Sequence, residues 1–319
     1  MSFSGGKYIW FNGRMLAWED ATVHVMAHAL HYGSSVFEGI RVYKTPDGPK
    51  VFRLTEHMER FFDSALIHNI PIPFPVDTLI GVCKDVVLAN ELMNGAYVRP
   101  IAFRGLGDVG LCPKPEDPVD VSVGAWEWGA YLGADGMEKG VDVCVSSWNR
   151  VAPNTIPALS KAGGNYLSST LISSEAKRLG FAEGIALSTD GLVSEGAGEN
   201  LFIVRGGKLI TPPSASSILT GITRDTVMQL AGHLGLEVRE QSIPREMLYL
   251  VDEMFFTGTA VEITPIRSVD RIEIGEGRRG PVTKQLQDAF FGLFSGKTED
   301  RHGWLEGLDA QPVAAAGGT

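Results

Sequence analysis

Among the ionisable residues of this 319-residue chain, Lys161 has the least ordinary neighbours: Ser160-Lys161-Ala162-Gly163-Gly164-Asn165-Tyr166. A lysine is normally a solvated surface charge, and for an isolated lysine before a glycine turn that reading prevails. Here Ala162, Gly163 and Gly164 leave room for a flat molecule beside the ammonium group. A lysine desolvated in such a pocket has a lowered pKa and can form a Schiff base. Glu195, followed by Gly196-Ala197-Gly198, is a carboxylate that backbone can approach closely and that could pair with a ring N–H⁺; a turn-solvating glutamate is equally natural. Thr220-Gly221-Ile222-Thr223 opens a helical pattern and offers backbone N–H groups and two hydroxyls to a phosphate, or else is a plain threonine cap. With the Tyr166 phenol, these groups supply an amine, a hydrogen-bond donor, a pyridinium partner and a phosphate cradle. Pyridoxal phosphate requires those parts.

Other chemistries are less well supported. Gly105-Leu-Gly-Asp-Val-Gly110 fits the dinucleotide pattern, but Pro113 and Pro115 follow where a helix should begin, so a loop is expected. His24, His28 and His31 have helical spacing for a metal, yet no carboxylate or cysteine nearby completes a set, and no metal is expected. Ser194 sits one residue off a nucleophile elbow. The net charge of −10 argues against nucleic acid, and no apolar run approaches membrane-spanning length. Three widely spaced cysteines without a Cys-x-x-Cys point to a reducing compartment, hence cytoplasm.

The elements that must position these residues alternate hairpins and helices. Asn12-Gly13 and Asp47-Gly48 mark hairpins. Thr55 is read as the N-cap of a helix whose apolar face is Met58, Phe61, Phe62, Ala65 and Leu66. A second helix starts near Asp77 and carries Leu79, Val82, Cys83, Val86 and Val87. Strands are expected over 96–103, 119–126 and 141–148, and a helix over 165–179 with Gly180 as its stop. Further hairpins turn at Asp190-Gly191 and Gly206-Gly207, a helix follows Gly221, and a strand over 254–260 runs into a turn. The expected fold is α/β in two domains: a small N-terminal domain over 1–126, an interdomain loop over 127–136, and a large domain over 137–308. A frayed tail follows over 309–319.

Four stretches in order carry a resemblance: His31-Tyr-Gly-Ser-Ser-Val-Phe-Glu-Gly-Ile-Arg41, Trp128-Gly-Ala-Tyr-Leu-Gly133, Lys161-Ala-Gly-Gly-Asn-Tyr166, and Ser194 through Asn200. The chain resembles the fold-type IV pyridoxal-phosphate aminotransferases, specifically the branched-chain amino-acid aminotransferases of the bacterial kind, over nearly its whole length. The resemblance implies a larger C-terminal domain in the form of a pseudo-barrel that binds the cofactor. It implies that Lys161 forms the Schiff base with the cofactor and shuttles the proton. Tyr166 would bond the phenolate oxygen, Glu195 the ring nitrogen, and Leu219 would pack on the ring. Arg60, Gly221, Ile222, Thr223 and Thr259 would hold the phosphate.

For the substrate, the resemblance implies an apolar pocket walled by Phe37, Gly39, Trp128, Tyr131, Tyr166 and Gly198. Tyr32 and Leu111 would come from a neighbouring subunit. Tyr97 and the N–H groups around Thr259-Ala260 would meet the α-carboxylate, and Arg99 the γ-carboxylate of glutamate. The implied reaction passes the amino group of leucine, isoleucine or valine to 2-oxoglutarate in a ping-pong cycle. A homodimer is the minimum assembly, and a trimer of dimers stays open. Cys112-Pro113 after Leu111 departs from the family pattern. The alternatives are an amine or D-amino-acid aminotransferase of the same fold, and a binder that has lost activity. Retention of Lys161 and Glu195 argues against the last.

Overall fold

The computed structural model describes residues 5–108, 110–129 and 136–308. They fall into two compact units, drawn from Met1–Trp128, Ser160–Gly164 and Asp300–Thr319 on one side, and from Gly129–Leu159 and Asn165–Glu299 on the other.

The first unit is built on an antiparallel sheet. Its strands run, in spatial order, Leu305–Gly307, Gly48–Phe52, Ile40–Thr45, Ala96–Arg104, Val119–Trp126, Tyr8–Phe11 and Arg14–Ala17, with Ser35–Phe37 pairing to Ala96–Arg104. Asn12 and Gly13 both take positive φ, 47° and 90°, which is the two-residue turn that matches strand twist. In the second hairpin Thr45 faces Gly48, so the loop is Pro46-Asp47 and Gly48 opens the strand.

Two helices, Leu54–Ile67 and Val76–Ala89, contribute the apolar core of this unit. The second buries Leu79, Val82, Cys83, Val86 and Val87, the stripe that its spacing predicts. Each large side chain removed from water there contributes about 1.5–3 kcal/mol. The first helix departs from expectation at both ends. Arg53 in the left-handed region, φ 54°, takes the N-cap position and no side chain caps the helix start. Thr55 lies inside the helix and gives its N–H and hydroxyl to Glu306, at 2.8 and 3.1 Å. Leu66 is 80% exposed, because the buried face runs through Leu54, His57, Met58, Phe61, Ser64 and Ala65. Three of the positions on or beside that stripe are polar, His57, Arg60 and Ser64, and no apolar periodicity marks them.

The second unit carries a mixed sheet in the order Val193–Gly196, Glu183–Leu187, Val141–Val145, Glu262–Val269, Glu253–Gly258, Asn200–Arg205, Lys208–Thr211 and Val238–Glu240. Val141–Val145 is parallel to both of its neighbours and ends three residues short of the expected Trp148. Beyond it, Ser146 and Ser147 turn their hydroxyls to Glu175, and the backbone leaves the ladder. Helices Tyr166–Arg178 and Ile222–His233 begin at the two motifs read as chemical, and Gly180 ends the former with φ 80°. Among the described residues no helix is long and apolar enough to cross a membrane.

Candidate active site

In the first unit, the strand end at Phe37 and the helix Leu54–Ile67 converge on Glu38, whose side chain is wholly buried. Its Oε1 accepts from Arg60 Nε at 2.7 Å, and its Oε2 from Arg60 Nη2 at 2.9 Å and from His57 Nδ1 at 2.7 Å. Burial pushes the Glu38 carboxyl up, but the charges of Arg60 and His57 and their hydrogen bonds outweigh it and hold the group well below the usual carboxylate range. His57 is driven down by its own burial, against the pull of Glu38 and with help from the positive Arg60 and Lys161. The pair is therefore a carboxylate and a neutral imidazole, with Arg60 carrying the compensating charge.

Lys161 lies beside this cluster. Its backbone N–H donates to Ser64 Oγ at 3.0 Å, and its carbonyl accepts from Phe37 N at 3.1 Å. Ala162 bridges to Val36, so the lysine segment runs antiparallel against the strand Ser35–Phe37. That crossing explains the glycines: a Cβ on Gly163 would overlap Ser35 Oγ, and one on Gly33 would meet the Gly164 Cα at 3.1 Å. Gly163 thus leaves room for the Ser35 hydroxyl, and Gly33 for the Gly164 backbone.

Phe37, Tyr97, Trp126 and Trp128 form an aromatic wall. Tyr97 and Trp128 have ring centroids 4.8 Å apart, Tyr97 and Trp126 5.4 Å. The Tyr97 hydroxyl sits where a Cβ on Gly39 would be, which ties that wall to Gly39. Arg99, two residues along the strand from Tyr97 and so on the same face, lays its guanidinium 4.8 Å from the Phe37 centroid and 5.3 Å from that of Tyr97. Its Nη2 donates to the Tyr97 hydroxyl at 3.4 Å, while the buried Nε has no hydrogen-bond partner among the described residues. The Lys161 ammonium stands 5.1 Å from the same Phe37 ring.

In the second unit Glu195 is also buried. Arg150 Nη2 lies 2.8 Å from its Oε1, and Asn200 Nδ2 and Leu219 N donate to its Oε2 at 3.1 and 3.0 Å. Arg150 itself donates to Ser169 Oγ at 3.2 Å, which joins Glu195 to the helix Tyr166–Arg178. Gly221 is the N-cap of Ile222–His233, and no side chain caps that helix start. A Cβ on Gly221 would overlap Asn200 Oδ1, so the turn and the Glu195 cluster form one tight assembly. Ile222 and Thr223 are buried at the first helical positions, where an anion meets the positive end of the helix dipole. Thr257, across the ladder from Asn200, buries its hydroxyl with no partner among the described residues. Each unit by itself holds groups that suit an anionic ligand: in the first, the Arg60 guanidinium suits a phosphate; in the second, the helix start at Gly221 suits an anion and the Glu195 carboxylate suits a ring N–H⁺.

Tyr166 and Gly198 line a common cleft with Ser169, Thr170 and Ser173. Thr259 and Ala260 follow the strand Glu253–Gly258 in a turn. Tyr32 and Leu111 are 48% and 77% exposed. Tyr131 lies outside the described residues. Sequence reasoning gave Glu38 no part in the chemistry, quoting it only within the stretch 31–41, and passed over His57, Arg150 and Trp126. The imidazoles of His24, His28 and His31 go separately to Met26 N, Ser34 Oγ and the Val25 carbonyl.

Residues 35–269 match the family model described as Amino-transferase class IV. The branched-chain-amino-acid aminotransferase of Salmonella typhimurium is 58% identical over 310 residues, spanning 97% of this chain and 100% of the relative. The crystal structure of the Escherichia coli branched-chain amino acid aminotransferase superposes with a TM-score of 0.94 at 58% identity, covering 95% of this chain and 100% of that one. The T.th. branched-chain amino acid aminotransferase, solved with pyridoxamine 5'-phosphate, has a TM-score of 0.91 at 43% identity, with 95% and 99% covered. The same enzyme has been solved with N-(5'-phosphopyridoxyl)-L-glutamate and with 4-methylvaleric acid. With more than half its length matched by the family model and its two buried glutamates, lysine segment and aromatic wall set out as above, the chain belongs to the class IV aminotransferases.

Proposed function

We propose that this protein is a pyridoxal-phosphate-dependent aminotransferase that passes the amino group of leucine, isoleucine or valine to 2-oxoglutarate, releasing a branched-chain 2-oxo acid and L-glutamate. The observation that carries the reading is the setting of Arg99: a guanidinium stacked among Phe37, Tyr97 and Trp126, with a buried Nε that has no partner among the described residues. One pocket must accept a branched hydrocarbon and a γ-carboxylate in turn. An aromatic wall removes the first from water, and the guanidinium pairs with the second. Relatives solved with a glutamate adduct and with 4-methylvaleric acid support the same duality.

When bound, pyridoxal phosphate supplies the carbonyl that takes up the amino group and a ring that draws electrons from the breaking Cα–H bond. Arg60 and the N–H groups of Ile222 and Thr223 bind its phosphate, with Gly221 and Thr259 beside them. Leu219 packs on the ring, Tyr166 donates to its phenolate oxygen, and Glu195 holds the proton on its nitrogen. Lys161 Nζ would hold the cofactor and would take the proton from the substrate Cα. Tyr97 and the Thr259-Ala260 backbone orient the α-carboxylate. The first product leaves before the acceptor enters, so one arrangement of side chains serves both half-reactions. A homodimer, with Tyr32 and Leu111 reaching the neighbour's pocket, and a cytoplasmic setting belong to this reading. So do a small N-terminal α/β domain over 1–126 and a large cofactor-binding domain over 137–308.

The test is to purify the protein, record the cofactor absorbance, and assay isoleucine and D-alanine with 2-oxoglutarate. Isoleucine should be turned over, and Lys161→Ala should reduce turnover by at least about 10³-fold. Turnover of D-alanine alone would overturn the substrate. Arg99→Ala should damage the glutamate half-reaction about tenfold more than the leucine one; equal losses would remove Arg99 from its role.

A further inference from the structure

We propose that Glu38 is a positioning residue that holds the Arg60 guanidinium as a phosphate-binding arm. The inference rests on the reading of Arg60 and pyridoxal phosphate given above and adds a residue to it. An arginine side chain has several rotatable bonds whose freedom is lost on being ordered. Glu38 removes that freedom by gripping one edge of the guanidinium plane, Nε on one carboxylate oxygen and Nη2 on the other. The opposite edge then points in a fixed direction.

The grip is itself fixed. His57 Nδ1 lies against Oε2 at 2.7 Å, and the Gly39 N–H approaches the same oxygen at 3.2 Å. The Glu38 backbone N–H donates to the Pro100 carbonyl at 2.9 Å, anchoring the residue to the central strand Ala96–Arg104. A carboxylate with this many donors cannot swing to follow its arginine; the arginine must come to it.

An ion pair serving stability alone would be replaceable by apolar side chains of similar volume at little cost, and often with a gain. The helix Leu54–Ile67 nevertheless keeps three polar residues on or beside its buried face, at 57, 60 and 64, next to Met58, Phe61 and Ala65. Each of them contacts a segment that carries the proposed chemistry. His57 and Arg60 meet Glu38, which precedes Gly39 of the substrate wall, and Ser64 takes the Lys161 N–H. The polar pattern follows the site rather than the core.

The full-length chain, stripped of cofactor, is titrated with pyridoxal phosphate and with pyridoxal, which lacks the phosphate, and binding is read from cofactor absorbance. The unaltered protein should bind the phosphate ester more tightly. If it does not, the functional reading itself fails, whatever Glu38 does. In Glu38→Gln the Kd for pyridoxal phosphate should rise about tenfold or more, while that for pyridoxal stays within about twofold. In an Arg60→Met background, Glu38→Gln should have no further effect on the Kd. Equal weakening of both ligands, or an undiminished effect without Arg60, would mean that Glu38 merely supports the fold. Near-ultraviolet circular dichroism checks folding. Should Glu38→Gln not fold, Glu38→Asp keeps the charge and withdraws it by one methylene, and it should show the same phosphate-specific loss.

Discussion

Glu38 and Glu195 are both buried, and each is matched to a buried or nearly buried arginine. Under the proposed function, the division of labour between carboxylate and arginine is opposite in the two. In the first unit the carboxylate is clamped by His57 and the Gly39 N–H, and on the proposed function it is the support for Arg60, which meets the phosphate. In the second, Arg150 is tied to Ser169, the Glu195 Oε2 is steadied by Asn200 and the Leu219 N–H, and on the same proposal the carboxylate is the group that meets the ligand. The same electrostatic solution, one charge lending another the right to be buried, thus serves to present a cation in one place and an anion in the other.

That contrast can be broken by exchange of function. Glu195→Gln should lower kcat by about 10²-fold even at saturating cofactor. Glu38→Gln, measured with saturating cofactor, should leave kcat within a few-fold and show its loss in cofactor affinity. A comparable kcat deficit in both would erase the distinction. Stability is the next largest effect. Arg60→Met and Arg150→Met each leave a buried carboxylate without its cation and should cost about 3–5 kcal/mol, measured by urea unfolding. The paired replacements Glu38→Met with Arg60→Met, and Glu195→Met with Arg150→Met, should recover most of that stability without recovering function. If the single arginine changes were mild, the carboxylates would be better solvated than their burial implies.

A smaller effect separates the clusters by pH. His57 has its folded pKa pushed below the ordinary 6.5, so below that pH the unfolded chain binds a proton that the folded chain refuses. Stability from this group is present above about pH 6.5 and is lost as pH falls, by at most about 1.4 kcal/mol per pH unit. The lowered Glu38 carboxyl acts in the same direction but only in stronger acid, below the unfolded carboxylate range. His57→Gln should flatten the limb between about pH 6 and pH 5 in unfolding experiments. An unchanged slope would mean that the imidazole charges freely in the folded protein. Packing gives the last test: Gly163→Ala is expected to cost about 1–3 kcal/mol through overlap with Ser35 Oγ and to be relieved by Ser35→Ala.

What could be read in the sequence follows the range of the interactions. The stripe of Val76–Ala89 and the turns at Asn12-Gly13 and Gly206-Gly207 were legible because periodicity and positive φ are properties of adjacent residues. The N-cap of Leu54–Ile67 was misplaced to Thr55 because the partner of that threonine, Glu306, is 251 residues away. Glu195 stood out through its glycine neighbours, whereas Arg150 had nothing local to mark it and is joined to the cluster only by folding. His57 and Arg60 fell off the apolar pattern of their helix and so resembled surface residues, although His57 is 1% exposed. The family resemblance supplied Arg60. It did not supply the carboxylate that holds it.

The short strand Leu305–Gly307 has a consequence in time. It pairs with Gly48–Phe52 and, through Glu306, reaches Thr55 at the start of the helix that bears His57, Arg60 and Ser64. During synthesis at about 5–20 residues per second, the ribosome needs on the order of 10–50 seconds to travel between these partners. For that interval the Gly48–Phe52 strand is an open edge, able to pair with another nascent chain. The first unit is begun early and closed late. Its assembly should therefore be most vulnerable to aggregation, and most responsive to chaperones, while the second unit is still being made.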